Sequence, residues 1–550
     1  MAILLFLIIS YLLLSISLYF LFPKAGVKGI KGLIPGVNFI EWCKLIGRKP
    51  VYALWLLFPV VNLFIFVGMA IDLVRSFKRY SFFDSALAFI YAPAIFFIIA
   101  KNDSDKYDGP TLPKEKAYAD QLEEARKSND SYKLKQLEEK NPYKKSAPRE
   151  WVESIVFAVF AASFIRMFLI EAYVIPTPSM EGSLNVGDFL FVSKAHYGIR
   201  TPMTVAMVPL LHNQVPVLKK ESYFTKPSLP YYRLPAIEKI EAGKPIVFNW
   251  PVGDSVYITS SRSYTVSQVE KEPGYAQQDR ELVQKIKNKD FVVRPLDKKD
   301  HYIKRCVGGP GDSLQIKDKQ IYLNGKAVTN PKHLQFSYIV DIPNDLTINE
   351  KKLVDWNIHV SQGDIMMIPV EYYQEYNITE PIQGRAFLMI LDETQKEQVK
   401  SLSKSVMVYD HKKKAEPRTL FPFDPGQCAD WSVDNYGPVY IPKAGTTVTI
   451  DKKSLPFYQR IISVYENNKL EVQGDDILIN GKKAESYTFR QDYYWAMGDN
   501  RHNSEDSRSW GFVPFDHIVG KPLFIWFSTK EGNIRKGINW NRLFRSANKE

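Results

Sequence analysis

The chain has 550 residues, too many for one ordinary domain, so at roughly 100–200 residues per domain two or three units are expected. Its formal charge of +12 raises nucleic acid as a partner, but the lysines and arginines cluster beside apolar segments, so the expectation is a lipid bilayer and no nucleic acid. Three cysteines (Cys43, Cys306, Cys428) without C-x-x-C spacing set aside both a disulfide framework and cysteine chemistry.

In chain order, four segments have the length and apolarity of membrane spans: 2–21, 51–71, 82–100 and 155–175. The first lacks a basic n-region and is too long for a cleavable h-region, so it reads as a retained helix. Pro59 and Pro93 fall inside the second and third, where membrane helices tolerate proline better than soluble ones. Lysine and arginine counts set the orientation: six in the 23–50 loop, three in 74–81 and twelve in 101–150. Basic loops stay cytoplasmic, so with four spans the N-terminus and everything after Ile175 lie outside. Residues 114–140 carry mixed charges at helical spacing and read as a solvated cytoplasmic helix.

From Val186 onward, short β-rich runs alternate with Gly, Pro and Asn, the pattern of a mainly β domain. Two of these runs, SLQIKDKQIYLNGK (313–326) and KLEVQGDDILINGK (469–482), align without a gap. Each ends in the Asn-Gly hairpin signal. The same offset pairs Tyr302 with Tyr458 and Lys304 with Arg460, which suggests an internal duplication. In that case only the first copy is catalytic, because arginine stays protonated and cannot act as a base.

The sequence contains no G-x-S-x-G elbow, no H-E-x-x-H, no phosphate-binding G-x-x-x-x-G-K-[ST] loop, and no S-x-x-K at Ser179. The eight histidines lack metal-ligand spacing. A Ser-His-Asp triad stays open, since triad members need not be neighbours in sequence. A serine with a lysine base also remains, and here three stretches stand in order: IPTPSMEGSLNVGDFLFVSK, HYIKRCVGGPGDSLQI and MGDNRHNSEDSRSWGFVP. They resemble the serine box, the lysine box and the Gly-Asp-Asn box of bacterial type I signal peptidases, membrane-bound serine proteases with a Ser-Lys dyad.

The resemblance implies Ser179 as nucleophile and Lys304 as its general base. An ordinary lysine near pKa 10.4 is protonated at neutral pH, so this role demands an apolar, desolvated pocket, for which Ile303, Cys306 and Val307 are suitable neighbours. It also implies that the backbone N–H of Ser179 and the hydroxyl of Thr177 stabilise the oxyanion. Ser504 is expected to hydrogen-bond and orient the lysine amine, and Asp506 and Arg508 to form a structural ion pair beneath the site. Ile175, Met180, Leu184, Leu190, Tyr302 and Ile303 are expected to line shallow apolar pockets for the small residues at −1 and −3 of a signal peptide. No metal or cofactor is implied. Two positions depart from the family pattern: His502 stands where an acidic residue is common, and Gly243-Lys244-Pro245 replaces Gly-Asp-Ile.

The expected architecture is a membrane-anchored chain of N-terminal transmembrane helices followed by a mainly β catalytic domain, of the signal-peptidase and LexA-like β fold, with an additional β subdomain. Its parts are three helices with a basic loop (1–100), a charged cytoplasmic linker (101–150), a fourth helix leading into the active site (151–175), a catalytic β domain (176–329), an inserted non-catalytic region (330–451), and the repeat hairpin with the C-terminal box (452–550). The expected setting is a bacterial inner membrane, with the catalytic domain on the periplasmic side and exported preproteins as partners. Two rivals are a catalytically dead membrane scaffold, against which Ser179, Lys304 and Ser504 together stand, and an autoproteolytic Ser-Lys regulator of the repressor type, a soluble class at odds with four spans.

Overall fold

The computed structural model describes residues 2–57, 61–144, 147–215, 220–271, 274–275, 279–360 and 363–548. The chain divides into two compact units, 1–158 and 159–550.

The first unit is helical. Its core gathers Leu18, Trp42, Met69 and Phe96, all essentially inaccessible, and the indole of Trp42 donates to the Met69 carbonyl at 3.0 Å. Among the described residues three helices are long and apolar enough to cross a membrane, with windows at Ile8–Ala25, Phe82–Lys101 and Glu150–Phe168. The expected continuous helix over 51–71 is not formed. A 3-10 segment, Pro50–Leu57, is followed by an α-helix of 15 residues, Val61–Arg75, shorter than the ~20 residues a span needs. Pro59 lies outside the described residues. Pro93 leaves its mark in the Phe82–Lys101 helix, where Tyr91 departs from helical geometry (φ −156°, ψ 86°). Proline removes a helical N–H and crowds the preceding turn.

The apolar run 155–175 is also not one helix. The α-helix Ala147–Phe168 ends within it, and Ile170–Val174 forms strand β1. Strand pairing wins here: β1 runs antiparallel to β2, Asp188–Ser193, in the register Ile170↔Ser193 to Val174↔Phe189. Glu171, buried on β1, forms ion pairs with Arg166 and Lys194 at 2.7 and 2.8 Å.

The second unit is mainly β. Its main sheet continues with β3 (Pro245–Asn249), β4 (His301–Gly308), β5 (Tyr493–Met497), β6 (Val513–Pro514) and β7 (Ile518–Ser528), in the spatial order β1-β2-β7-β3-β4-β5-β6. Register shifts between β2 and β7, β7 and β3, and β5 and β4 curl the sheet. Strand β4 lies inside the sheet, with Ile246↔Lys304 on one side and Ala496↔Cys306 on the other, so its side chains are shielded by both neighbours.

Two smaller elements bear on the expectations. A separate four-stranded sheet is built from Phe336–Ile342, Ile365–Met367, Arg385–Leu391 and Met407–Asp410, within the inserted region. That region is not wholly separate, because Tyr436–Tyr440 pairs with Ser313–Lys317. The repeated hairpins do share a structure: Ser313–Lys317 with Gln320–Leu323, and Leu470–Gln473 with Asp476–Ile479. In each, an Asn-Gly turn then leads from the second strand to a short third one, Lys326–Ala327 or Lys482–Lys483, with Asn324 and Asn480 at φ 52° and 54° and Gly325 and Gly481 at φ 78° and 79°, the left-handed pair that an Asn-Gly turn requires. Each asparagine side chain accepts the backbone N–H that opens its hairpin, Ser313 at 2.9 Å and Lys469 at 3.0 Å. The duplication ends there. Lys304 lies on a strand, whereas Arg460 closes the helix Leu455–Arg460.

Candidate active site

Ser179 sits in a 3-10 turn, Pro178–Met180, entered from an extended Thr177 (φ −129°, ψ 151°). Two prolines restrict the approach, and Met180, 1% exposed, anchors the turn in a core of Ile175, Leu184, Leu190, Val192 and Val247. Lys304 arrives from β4. Its Nζ lies 2.5 Å from Ser179 Oγ, a hydrogen bond between residues far apart in the chain.

Lys304 is 3% exposed. Burial lowers its ammonium pKa to about 8, against the opposing pull of Asp506, Glu505 and Asp499, with Arg508 acting in the same direction as burial. Strand alternation puts Tyr302 and Cys306 on its face and Ile303 and Val307 on the other. The Tyr302 ring lies 5.5 Å from Nζ, and it is itself held by Trp250 at 5.2 Å and Trp510 at 5.4 Å.

The Gly-Asp-Asn box packs behind the dyad. Asp506 and Arg508, both buried, form the expected pair through Nη2–Oδ2 at 2.7 Å and Nε–Oδ1 at 2.9 Å, and Asp506 also accepts the Gly498 N–H at 3.0 Å. The Asn500 N–H donates to the Ser179 carbonyl at 3.2 Å. A Cβ on Gly498 would collide with both Ser504 Oγ and the Ser179 carbonyl oxygen, so this glycine is what lets the box close on the serine turn. The expected hydrogen bond from Ser504 to Lys304 is not made: among the described residues Ser504 Oγ is buried without a partner of ordinary geometry, although its approach helps lower the Asp506 pKa. The lysine amine is directed at Ser179 instead.

A cavity of about 1150 Å3 surrounds the pair. Thr177, exposed, lines it together with Ile175, Met180, Leu190, Tyr302 and Ile303. Leu184 does not: at 1% exposure it is a core residue.

Several residues of this neighbourhood carry no signal in the sequence. Arg305 forms a bidentate pair with Asp499 at 2.8 and 2.7 Å and donates to Ser183 Oγ at 3.1 Å. Arg542 pairs with the buried Asp188 at 2.6 Å and donates to the Ser183 carbonyl at 3.0 Å. Glu181 is fully buried with neither carboxylate oxygen bonded among the described residues, and burial together with nearby Asp364 pushes its pKa up.

Among the described residues the triad left open by the sequence has one counterpart. Ser337 Oγ lies 2.7 Å from His502 Nδ1, whose Nε2 lies 2.7 Å from Asp434 Oδ1. Ser337 is 2% exposed, is also bonded to His411, and does not line the cavity, so a substrate carbonyl has no access to it. This chain of bonds seats the inserted sheet on the Gly-Asp-Asn box.

A serine hydroxyl held against a desolvated lysine at the mouth of a cavity defines a Ser-Lys hydrolase. Comparison narrows the class. The family model described as signal peptidase, peptidase S26, matches residues 148–370 and 441–527, more than half of the chain, and a family of unknown function matches 30–110. The signal peptidase I of Haemophilus influenzae is 25% identical over 401 residues, 71% of this chain and 74% of its own. That of Buchnera aphidicola subsp. Baizongia pistaciae is 22% identical over 388 residues, covering 69% and 77%. The signal peptidase I of Aquifex aeolicus reaches 60% identity over 38 residues, 7% of this chain and 15% of its own. The chain belongs to the peptidase S26 family of signal peptidases, serine endopeptidases that remove signal peptides.

Proposed function

We propose that this protein cleaves signal peptides from exported preproteins with Ser179 as nucleophile and Lys304 as general base, and the observation that carries this is the 2.5 Å contact between their reacting atoms. Neutral Lys304 takes the Ser179 proton as Oγ attacks the scissile carbonyl. The oxyanion is stabilised by the Ser179 N–H and the Thr177 hydroxyl, donors carried by a turn whose backbone two prolines restrict. Collapse breaks the C–N bond, and the Lys304 ammonium returns the proton to the departing amine of the mature chain. Water, activated by the same lysine, then releases the signal peptide from the acyl-enzyme. Asp506 and Arg508 buttress the floor of the site, and Ser504 closes it beside the lysine.

Selectivity for small residues at −1 and −3 rests on Ile175, Met180, Leu190, Tyr302 and Ile303, which line the cavity beside the nucleophile. The setting is a bacterial inner membrane with the catalytic unit on the periplasmic face. Support comes from the twelve lysines and arginines of 101–150, which favour the cytoplasm, followed by a span-length helix at Glu150–Phe168. A last crossing there supports an outer position for the catalytic unit whatever the number of earlier ones.

The test is preprotein processing in detergent by wild type, Ser179→Ala and Lys304→Ala. Each variant should lose at least about 1000-fold in kcat, and processing at the wild-type rate by either would overturn the assignment.

A further inference from the structure

The cavity is larger than chemistry at one peptide bond and two small side chains demands. Its volume of about 1150 Å3 exceeds the roughly 300–1,000 Å3 that encloses a drug-sized molecule. The wall also changes character along its length. Beside Ser179 it is apolar, with Ile175, Leu190, Val247 and Ile303. Elsewhere it is formed by two further segments, 416–423 and 456–470, in which the polar Glu416, Arg418, Thr419, Gln459 and Ser463 are interspersed with apolar side chains such as Phe423 and Val464. The first of these lies in 371–440, the stretch between the two blocks of the family match. The second reaches Leu470, which opens the first strand of the second repeated hairpin.

The charges of this polar end are unequally committed. Arg460 is paired with Asp254 at 2.7 Å and Arg262 with Glu505 at 3.0 Å. Arg418 is exposed and lines the cavity, and among the described residues it has no carboxylate partner.

We propose that the polar end is a binding surface for the mature half of the preprotein: the residues after the scissile bond lie extended between 416–419 and 459–463, with Arg418 facing an acidic side chain among them. The inference rests on Ser179 being the nucleophile. A serine at the scissile carbonyl divides the bound polypeptide into two halves, and the two halves differ in chemistry. The signal-peptide half brings small and apolar residues and fits the apolar end. The mature half is left with the end that offers charged and hydrogen-bonding groups. Because the space is continuous, a chain that delivers its carbonyl to Ser179 passes through both. The segment 416–423 thereby gains a role in a region expected to be non-catalytic, as a wall that reads substrate rather than a group that reacts.

The experiment uses the full chain in detergent and peptides that share one signal half. One peptide stops just past the scissile bond, and two continue into an acidic or a basic mature stretch. With wild type, kcat/KM should rise on extension and favour the acidic stretch over the basic by about tenfold. Arg418→Glu, at an exposed position, should invert that preference, with circular dichroism confirming the fold. Equal kcat/KM for short and extended peptides, or an acid-to-base ratio unchanged by Arg418→Glu, overturns the inference while leaving the dyad standing. Cleavage of the peptides by Ser179→Ala would instead remove the dyad and this surface with it.

Discussion

Lys304 makes the most quantitative commitment. Its pKa falls from 10.5 to about 8 on burial, so about a tenth of the enzyme carries a neutral base at pH 7, against roughly 0.03% for an ordinary lysine, a gain of ~300-fold in the competent form. Holding the ammonium pKa down at about 8 costs about 3 kcal/mol at ~1.36 kcal/mol per pH unit. The sign follows from linkage: between about pH 8 and 10.5 the unfolded chain binds a proton that the folded one has released, so stability rises with pH across that window. Below about pH 8 the penalty is paid in full. Single-turnover cleavage should therefore rise about tenfold per pH unit up to about pH 8 and then level off. Lys304→Met, which removes the buried amine and keeps the volume, should be inactive yet more stable by up to about 3 kcal/mol at pH 7, with the gain gone near pH 10.5. Thermal unfolding across pH, beside the rate profile, checks both halves. A rate independent of pH from 6 to 9, a midpoint near 10.5, or a Lys304→Met protein less stable than wild type at pH 7 would refute the desolvation account.

Two further substitutions probe the supports of the site. Gly498→Ala adds a Cβ that meets Ser504 Oγ and the Ser179 carbonyl, so the serine turn must shift. kcat should fall by about 100-fold, as misplacement by an ångström can cost, with a loss of stability of about 1–3 kcal/mol from overpacking, and near-wild-type kcat would show that the turn tolerates the shift. Arg542→Ala strands the carboxylate of Asp188, which is fully buried. Loss of one partner of a buried pair costs about 3–5 kcal/mol, read by denaturant unfolding, and a change below about 1 kcal/mol would show that Ser528 and the Asn185 N–H suffice as partners.

The features legible in the sequence are those set by local chemistry. The two prolines around Thr177, the Ser179 turn and the Asn-Gly hairpins depend on neighbouring residues, and each appears as expected. Averaged apolarity was a weaker guide. It merged a membrane-length helix with strand β1 in 155–175, because both are apolar and only pairing with β2 separates them. It likewise read 51–71 as one span, although the described part divides into a 3-10 segment and a short helix. The buried pairs Arg305–Asp499 and Arg542–Asp188 join residues 194 and 354 positions apart, and such partners carry no periodic signal. Gly498 is in the same position: its need for a missing side chain exists only once two distant loops meet.

The hairpin repeat marks where sequence similarity stops carrying structure. An Asn-Gly turn fixes its own dihedral angles, so two copies keep the same hydrogen bonds wherever they are placed. A lysine or arginine upstream of the hairpin is positioned by other strands. Lys304 is shielded between β3 and β5 and meets Ser179, whereas Arg460, on a helix, binds Asp254 and the Pro251 carbonyl. Asp254 also pairs with Lys299, just before β4. Arg460 therefore braces the approach to the strand that carries the base, a structural task that a permanent cation performs well and a titratable one would make dependent on pH.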